Sequence, residues 1–429
     1  MHVKAGEGND GDGEGGKDYD NEGGKRNDGD GEGEKDNDGD GEGGKDYDGD
    51  GEGEKDNDGE REKHNDGDGE GEKHNDGDGE GGKDNDGDGE GGKHNDGDGE
   101  GGNDSQVVVP LLLLHGWPGS FVEFYELVSL LREEEQVVEV EGEGGNVVLE
   151  VICPSIPGYG FSQAPAKQGF GHLETAQVMF KLMKRLGHER FYVQGGDWGS
   201  FIATAMATMY PHSVAGVHLN MFTSTTLGAN FKMVMGGLLP SGLLFSTKDQ
   251  AKIYPLLGRL GMFARETGYL HIQATKPDTV AVNQNPLSLA VYLLEKFSTW
   301  THLDNPHLPD GGLLQPHFPI SLDSLLDNIC IYWFTGTITT SMRYYAENFG
   351  SLLTRNVENI PCRVPAGLAA FPQELATQPK SLAAHKFYDI VTYSDMPRGG
   401  HFAAMEEPHL LAQDILSFIT KVENRNHKH

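Results

Sequence analysis

Asp197 stands at the centre of Gly195-Gly196-Asp197-Trp198-Gly199. The short run Phe191-Tyr192-Val193-Gln194 precedes it, and a small-residue helical stretch, Ser200–Tyr210, follows and is closed by Pro211. Small residues on both sides let the chain turn sharply from strand to helix and present the central side chain at the tip. A carboxylate at that tip differs from a serine. The hydroxyl needs a base before it can attack, whereas a carboxylate is already ionised near neutral pH. Its natural targets are alkyl carbons bearing a leaving group, such as an epoxide or a halide. The plainer reading is an aspartate N-cap at a helix start, and only suitable partners displace it.

An ester formed on Asp197 has to be cleared by water, which calls for a general base. His401, in Arg398-Gly399-Gly400-His401-Phe402, follows the last strand pattern and precedes the final helix. That position singles it out among 18 histidines. The acid that orients it is expected after the preceding strand, which gives Glu374 in Phe371-Pro372-Gln373-Glu374-Leu375. Asp395 is the alternative, on the strand leading to His401 itself. Nucleophile, acid, histidine is the chain order of the α/β-hydrolase fold. His115-Gly116-Trp117-Pro118 lies at the turn where that fold builds part of its oxyanion hole. The backbone N–H groups of Trp117 and Trp198 are the expected donors, with a cis peptide expected before Pro118. Ring opening would also leave an alkoxide needing a hydrogen-bond donor. Tyr269 in Glu266-Thr267-Gly268-Tyr269-Leu270 and Tyr345 in Arg343-Tyr344-Tyr345-Ala346 are the candidates, since a phenol is neutral at pH 7 and can donate. Tyrosines more often serve simply as core or rim residues.

The elements that must position these groups follow a strand–helix rhythm. Val107–Leu114 is a continuous apolar run, as in a strand buried on both faces. Phe121–Leu131 has helical spacing, Val147–Cys153 is a second strand, and Glu133–Gly145 between them is expected to be a surface loop. Thr175–Leu186 is an amphipathic helix and Val214–Leu219 another strand. Strands return at Cys362–Ala366 and Ile390–Tyr393, before a helix over Pro408–Val422. This alternation predicts an α/β fold with a doubly wound, mostly parallel sheet. Residues 105–222 and 350–429 are expected to form its two parts, with 223–349 an inserted helical cap.

Residues 1–104 are of another kind. They hold 39 acidic and 12 basic residues, so that residues 105–429 carry only −7 of the total −34. Such a stretch cannot bury enough apolar surface to offset chain entropy, and disorder is expected. Its ten-residue repeat includes Asp36-x-Asp38-x-Asp40-Gly41, the first half of an EF-hand loop. Gly43 and Tyr47 stand where that loop needs an apolar residue and a bidentate Glu, so weak, non-specific cation attraction is the expectation. Cys153, Cys330 and Cys362 form neither a zinc nor a disulfide pattern, which fits a reducing compartment. No signal peptide or apolar run long enough to span a bilayer occurs in the sequence.

Residues 107–425 resemble microsomal epoxide hydrolases. The resemblance is carried by HGWPGSFVEFYELV, SIPGYGFSQAP, VQGGDWGS, ETGYLHIQATKPDT, LEKFSTWT, YWFTGTITTSMRYYAEN, AAFPQEL and RGGHFAAMEEPHLLAQDI. It implies Asp197 as nucleophile, Glu374 as charge-relay acid and His401 as base, with Tyr269 and Tyr345 (rather than Tyr344) as donors to the oxirane oxygen. Arene, alkene and lipid epoxides are the implied substrates and trans-diols the products. Water and the epoxide are the only partners implied, with no cofactor, metal or nucleic acid; the oligomeric state is left open. The family carries an N-terminal anchor and a region that wraps core and cap, at the endoplasmic reticulum membrane. Here the acidic repeat stands in that place, so the cytosol is the alternative location and exposed apolar surface on core and cap is expected. Two rival readings are a haloalkane dehalogenase, which binds halide with indole or amide N–H groups, and a non-catalytic, acidic cation-binding protein with an unstable hydrolase remnant.

Overall fold

The computed structural model describes residues 107–132, 138–139, 146–240, 242–354 and 359–426, all within one unit, Asn95–His429. The acidic repeat, with its expected disorder and calcium-loop-like frame, lies outside the described residues.

Strand β1 (Val107–Leu114) sits third in a seven-stranded sheet of order β2-β3-β1-β4-β5-β6-β7. The others are β2 (Val138–Glu139), β3 (Asn146–Ile152), β4 (Phe191–Gly195), β5 (Val214–Leu219), β6 (Cys362–Ala370) and β7 (Phe387–Asp395). All neighbours pair in parallel except β2 with β3. The unbroken apolar run of β1 is explained by burial on both faces. Leu112 and Leu114 join the core shared with α2 (His172–Arg185), α3 (Asp197–Met209) and the inserted helices. Leu111 and Leu113 point the other way, into the core beneath α1 (Tyr125–Arg132) and the C-terminal helix. Helices on both sheet faces give the doubly wound architecture.

Among the described residues seven α-helices separate β5 from β6: α4 (Leu227–Leu238), α5 (Thr247–Ile253), α6 (Leu256–Glu266), α7 (Gly268–Thr275), α8 (Pro286–Thr299), α9 (Leu322–Thr335) and α10 (Ile338–Thr354). After β6 come α11 (Lys380–Ala383), α12 (Ala403–Glu406) and α13 (Pro408–Asn426). Helix α9 ties this insertion to the turn after β1. Asn328 Nδ2 donates to the Pro118 carbonyl at 2.8 Å, and the Tyr332 hydroxyl donates to the Gly119 carbonyl at 2.7 Å. Large apolar side chains stand exposed on the insertion, including Leu227, Phe231 and Leu238 along one helix and Phe334 on another.

Several boundaries differ from the expectations. The segment expected to be a loop, Glu133–Gly145, contains β2, where Val138 pairs with Val147 and Glu139 with Asn146. Strand β6 runs on to Ala370: its Gly-Leu-Ala-Ala end has no β-branched residue, but Leu368 and Ala369 are fully buried. Helix α3 begins at Asp197 rather than Ser200, and α2 at His172 rather than Thr175. The latter start is fixed by Glu174, whose carboxylate accepts from the Gly171 N–H at 2.9 Å. Among the described residues no helix is long and apolar enough to cross a membrane.

Candidate active site

The turn from β4 into α3 holds Asp197 at φ 44°, one of two non-glycine residues with positive φ among the described residues. Aspartate tolerates this left-handed region better than most residues, yet the conformation still costs about 1–3 kcal/mol and persists only where packing enforces it. The enforcement comes from close approach. A methyl group at Gly116 would overlap the Asp197 side chain, and one at Gly199 would overlap the Leu114 carbonyl. The β1 turn therefore lies directly against the carboxylate. Its Trp117 N–H donates to Asp197 Oδ1 at 2.7 Å, and the Trp198 N–H also stabilises the charged form. The Trp117–Pro118 peptide is cis.

His401 follows β7, and its Nε2 lies 3.6 Å from Asp197 Oδ2. Its Nδ1 lies 2.9 and 3.0 Å from the two Glu374 carboxylate oxygens. Glu374 is four residues past the end of β6, with its side chain fully buried. The backbone N–H of His401 donates to the Trp300 carbonyl at 3.0 Å, which couples the histidine to the end of α8. Asp395, the alternative acid, instead pairs with Lys248 at 2.7 Å and with Lys252. Helix α12 adds a carboxylate that the sequence reading passed over: buried Glu406 accepts from the Phe402 N–H at 2.8 Å and so holds the backbone just after His401.

Tyr269 on α7 and Tyr345 on α10 come together with their ring centroids 5.7 Å apart. Tyr269 stacks on Trp117 at 5.0 Å with planes 11° apart, and Tyr345 meets Trp198 edge-on at 4.8 Å. Both phenols are thus packed against the two residues whose N–H groups address Asp197. The buried Tyr345 hydroxyl interacts with the Tyr269 hydroxyl. Neighbouring Tyr344 points elsewhere, since successive helical residues diverge by roughly 100°, and its hydroxyl donates to Thr175 Oγ1 at 2.9 Å. The indole N–H groups of Trp117, Trp198 and Trp300 are buried and unpartnered among the described residues.

The electrostatics follow from burial and charge. Burial pushes the Asp197 carboxyl upward, opposed by the His401 charge and the Trp117 and Trp198 N–H groups. Burial alone would lower His401; the Glu374 charge and hydrogen bond, with the Asp197 and Glu123 charges, overcome it and raise the imidazole to about 9. Burial and the nearby Asp197 charge raise both Tyr269 and Tyr345, so both phenols keep their protons. Among the described residues no group of histidine, cysteine and carboxylate side chains is arranged to hold a metal ion.

Residues 109–244 match the family model of the alpha/beta hydrolase fold. Epoxide hydrolase 1 of Oryctolagus cuniculus is 47% identical over 320 residues, 74% of this chain and 69% of that protein. Juvenile hormone epoxide hydrolase 1 of Ctenocephalides felis is 46% identical over 317 residues, 73% of this chain and 66% of that protein. The crystal structure of juvenile hormone epoxide hydrolase from the silkworm Bombyx mori superposes with a TM-score of 0.70 at 41% identity, covering 76% of this chain and 74% of that one. On this similarity, and with an aspartate at its elbow beneath two phenols, the chain belongs to the epoxide hydrolase family of the α/β-hydrolase fold.

Proposed function

We propose that this enzyme opens epoxides through a covalent ester on Asp197, which His401-activated water then hydrolyses. The observation that carries the reading is the division of the Asp197 carboxylate. Oδ1 is held by the Trp117 N–H, which leaves Oδ2, the oxygen facing His401, to attack an oxirane carbon. Tyr269 and Tyr345 donate hydrogen bonds to the oxirane oxygen as the C–O bond breaks, and one phenolic proton passes to the alkoxide. In the second step water attacks the ester carbonyl carbon and gives a proton to His401 Nε2. Negative charge builds on Oδ1, where the Trp117 and Trp198 N–H groups meet it. The C–Oδ2 bond of the acyl group then breaks, the leaving alkoxide takes the proton from His401, the carboxylic proton left on Asp197 returns to the tyrosinate, and the diol leaves with the original carboxylate oxygen. Glu374 holds the imidazole in the tautomer that presents Nε2 as base and stabilises the imidazolium that forms.

Esterification also prepares the base. Removing the Asp197 charge removes one of the groups that raise His401, so the imidazole loses its proton more readily once the ester exists. Arene, alkene and lipid epoxides are the proposed substrates, and likeness to relatives named juvenile hormone epoxide hydrolase supports adding hormone epoxides to them. Xenobiotic detoxification at the endoplasmic reticulum membrane is the role that the family resemblance supports. A single turnover in H₂¹⁸O tests the ester. The first diol should be unlabelled and the label should enter the peptide containing Asp197. Label in the first diol would mean direct attack by water and would overturn the reading.

A further inference from the structure

A cavity of ≈ 20 Å³ lies beside Asp197, lined in part by Trp117, Glu123, Gln194, Asn220 and His401. That is room for one water and little else. Its walls are polar. Gln194 is 1% exposed; its Nε2 donates to Asn220 Oδ1 at 2.8 Å, while its Oε1 is buried with no partner among the described residues. A buried, unsatisfied acceptor beside a water-sized space marks a site that a water would complete.

Glu123 has a plainer explanation first. Ser120-Phe121-Val122-Glu123 has the capping-box pattern: Ser120 Oγ accepts from the Val122 N–H at 3.4 Å, and the Ser120 N–H reaches back to the Glu123 carboxylate. A cap can sit on any helix, however, and this one faces the reacting groups. The His401 and Asp197 charges both act on Glu123, and Glu123 acts in turn on His401. A methyl group at Gly119 would overlap the carboxylate, so the turn leaves space for it. Burial pushes Glu123 up to about 8 against the opposing His401 charge. Its carboxyl group lines the cavity and gives a water there a hydrogen-bond partner.

We propose that this cavity seats the water that hydrolyses the Asp197 ester, held by Glu123 and Gln194 and delivering its proton to His401. The inference rests on the ester reading above. It assigns Glu123 and Gln194 to the second half-reaction only: they hold the water oxygen that bonds to the acyl carbon.

The test follows ester formation and decay separately, by rapid quench and mass spectrometry with styrene oxide, in the full chain. Glu123→Gln keeps a capping side chain. It should form the ester at close to the parent rate and clear it about 10²-fold more slowly. Ser120→Ala weakens the same cap from its other side and should leave ester decay unchanged. Should Glu123→Gln fail to fold, Gln194→Met removes the other contact to the same water and should also accumulate ester. Ester decay at the parent rate in the folded variants would overturn the proposal, as would equal slowing by Ser120→Ala, since the effect would then belong to the cap. Absence of any ester in the parent protein would instead overturn the ester reading, and this proposal with it.

Discussion

Asp197, Glu374 and His401 stand at the ends of β4, β6 and β7 and are held largely through main-chain contacts: the Trp117 N–H on Asp197, the Trp300 carbonyl on His401, and the Ala376 N–H on Glu374 at 3.2 Å. Tyr269 and Tyr345 come from α7 and α10 in the inserted helices and are held by ring packing against Trp117, Trp198 and Trp300. The sheet side thus places the charged groups by hydrogen bonds in a buried setting. The helical side places neutral donors by shape. Charge must be positioned against a large desolvation cost, whereas a phenol is stable in an aromatic wall provided its hydroxyl finds a partner when substrate arrives. Loss of the sheet-side carboxylate at Asp197 should therefore abolish ester formation, whereas damage on the helical side should only slow it.

The largest expected effect is that of Asp197→Ala, which removes the proposed nucleophile. No ester should form, and kcat/KM for styrene oxide should drop by about 10⁴-fold or more, as read by diol production. Next comes the paired change Tyr269→Phe with Tyr345→Phe. It should slow ester formation by about 10²–10⁴-fold while leaving the decay of a preformed ester nearly untouched. Unchanged epoxide opening in the double variant would break the contrast between the two sides and reopen the dehalogenase reading. Glu374→Gln should act on the opposite half-reaction, slowing ester decay by about 10²-fold with ester formation retained; slowing of ester formation alone would contradict its assigned place. The pH dependence is the gentlest probe. With neutral His401 as the proposed base, ester decay should rise with pH and level off. The midpoint should lie below the value of about 9 that describes the imidazole beside an ionised Asp197, because the ester has lost that charge. A decay rate that falls as pH rises would give the histidine a different role.

The two sides also differed in how far the sequence disclosed them. Gly195-Gly196-Asp197-Trp198-Gly199 was legible because a strained turn with close backbone contact permits few residue types. His401 was legible from its place after the last strand. Glu374 was less so, since Asp395 offers the same carboxylate nearby and only the geometry shows it bound to Lys248 and Lys252. Tyr269 and Tyr345 could be suspected but not separated by residue chemistry from the other tyrosines among 14 in the chain. Adjacent Tyr344 has the same composition and the same helix, and only rotation around α10 directs it to Thr175 instead. Glu123 was not singled out in the sequence, where its Ser-x-x-Glu spacing fits a helix cap as well as a place beside Asp197. Strand ends were misjudged where small residues, as in Gly367-Leu368-Ala369-Ala370, carry little propensity and burial decides.

The most direct test of the account is His401→Gln exposed to styrene oxide and analysed by mass spectrometry. With the base removed and the nucleophile intact, the protein should gain one styrene oxide mass on the peptide containing Asp197 and retain it, with diol release falling to a trace. A variant that yields neither adduct nor diol, while folded and with its parent active, would contradict the claim that Asp197 attacks without a base and that His401 serves to release the product.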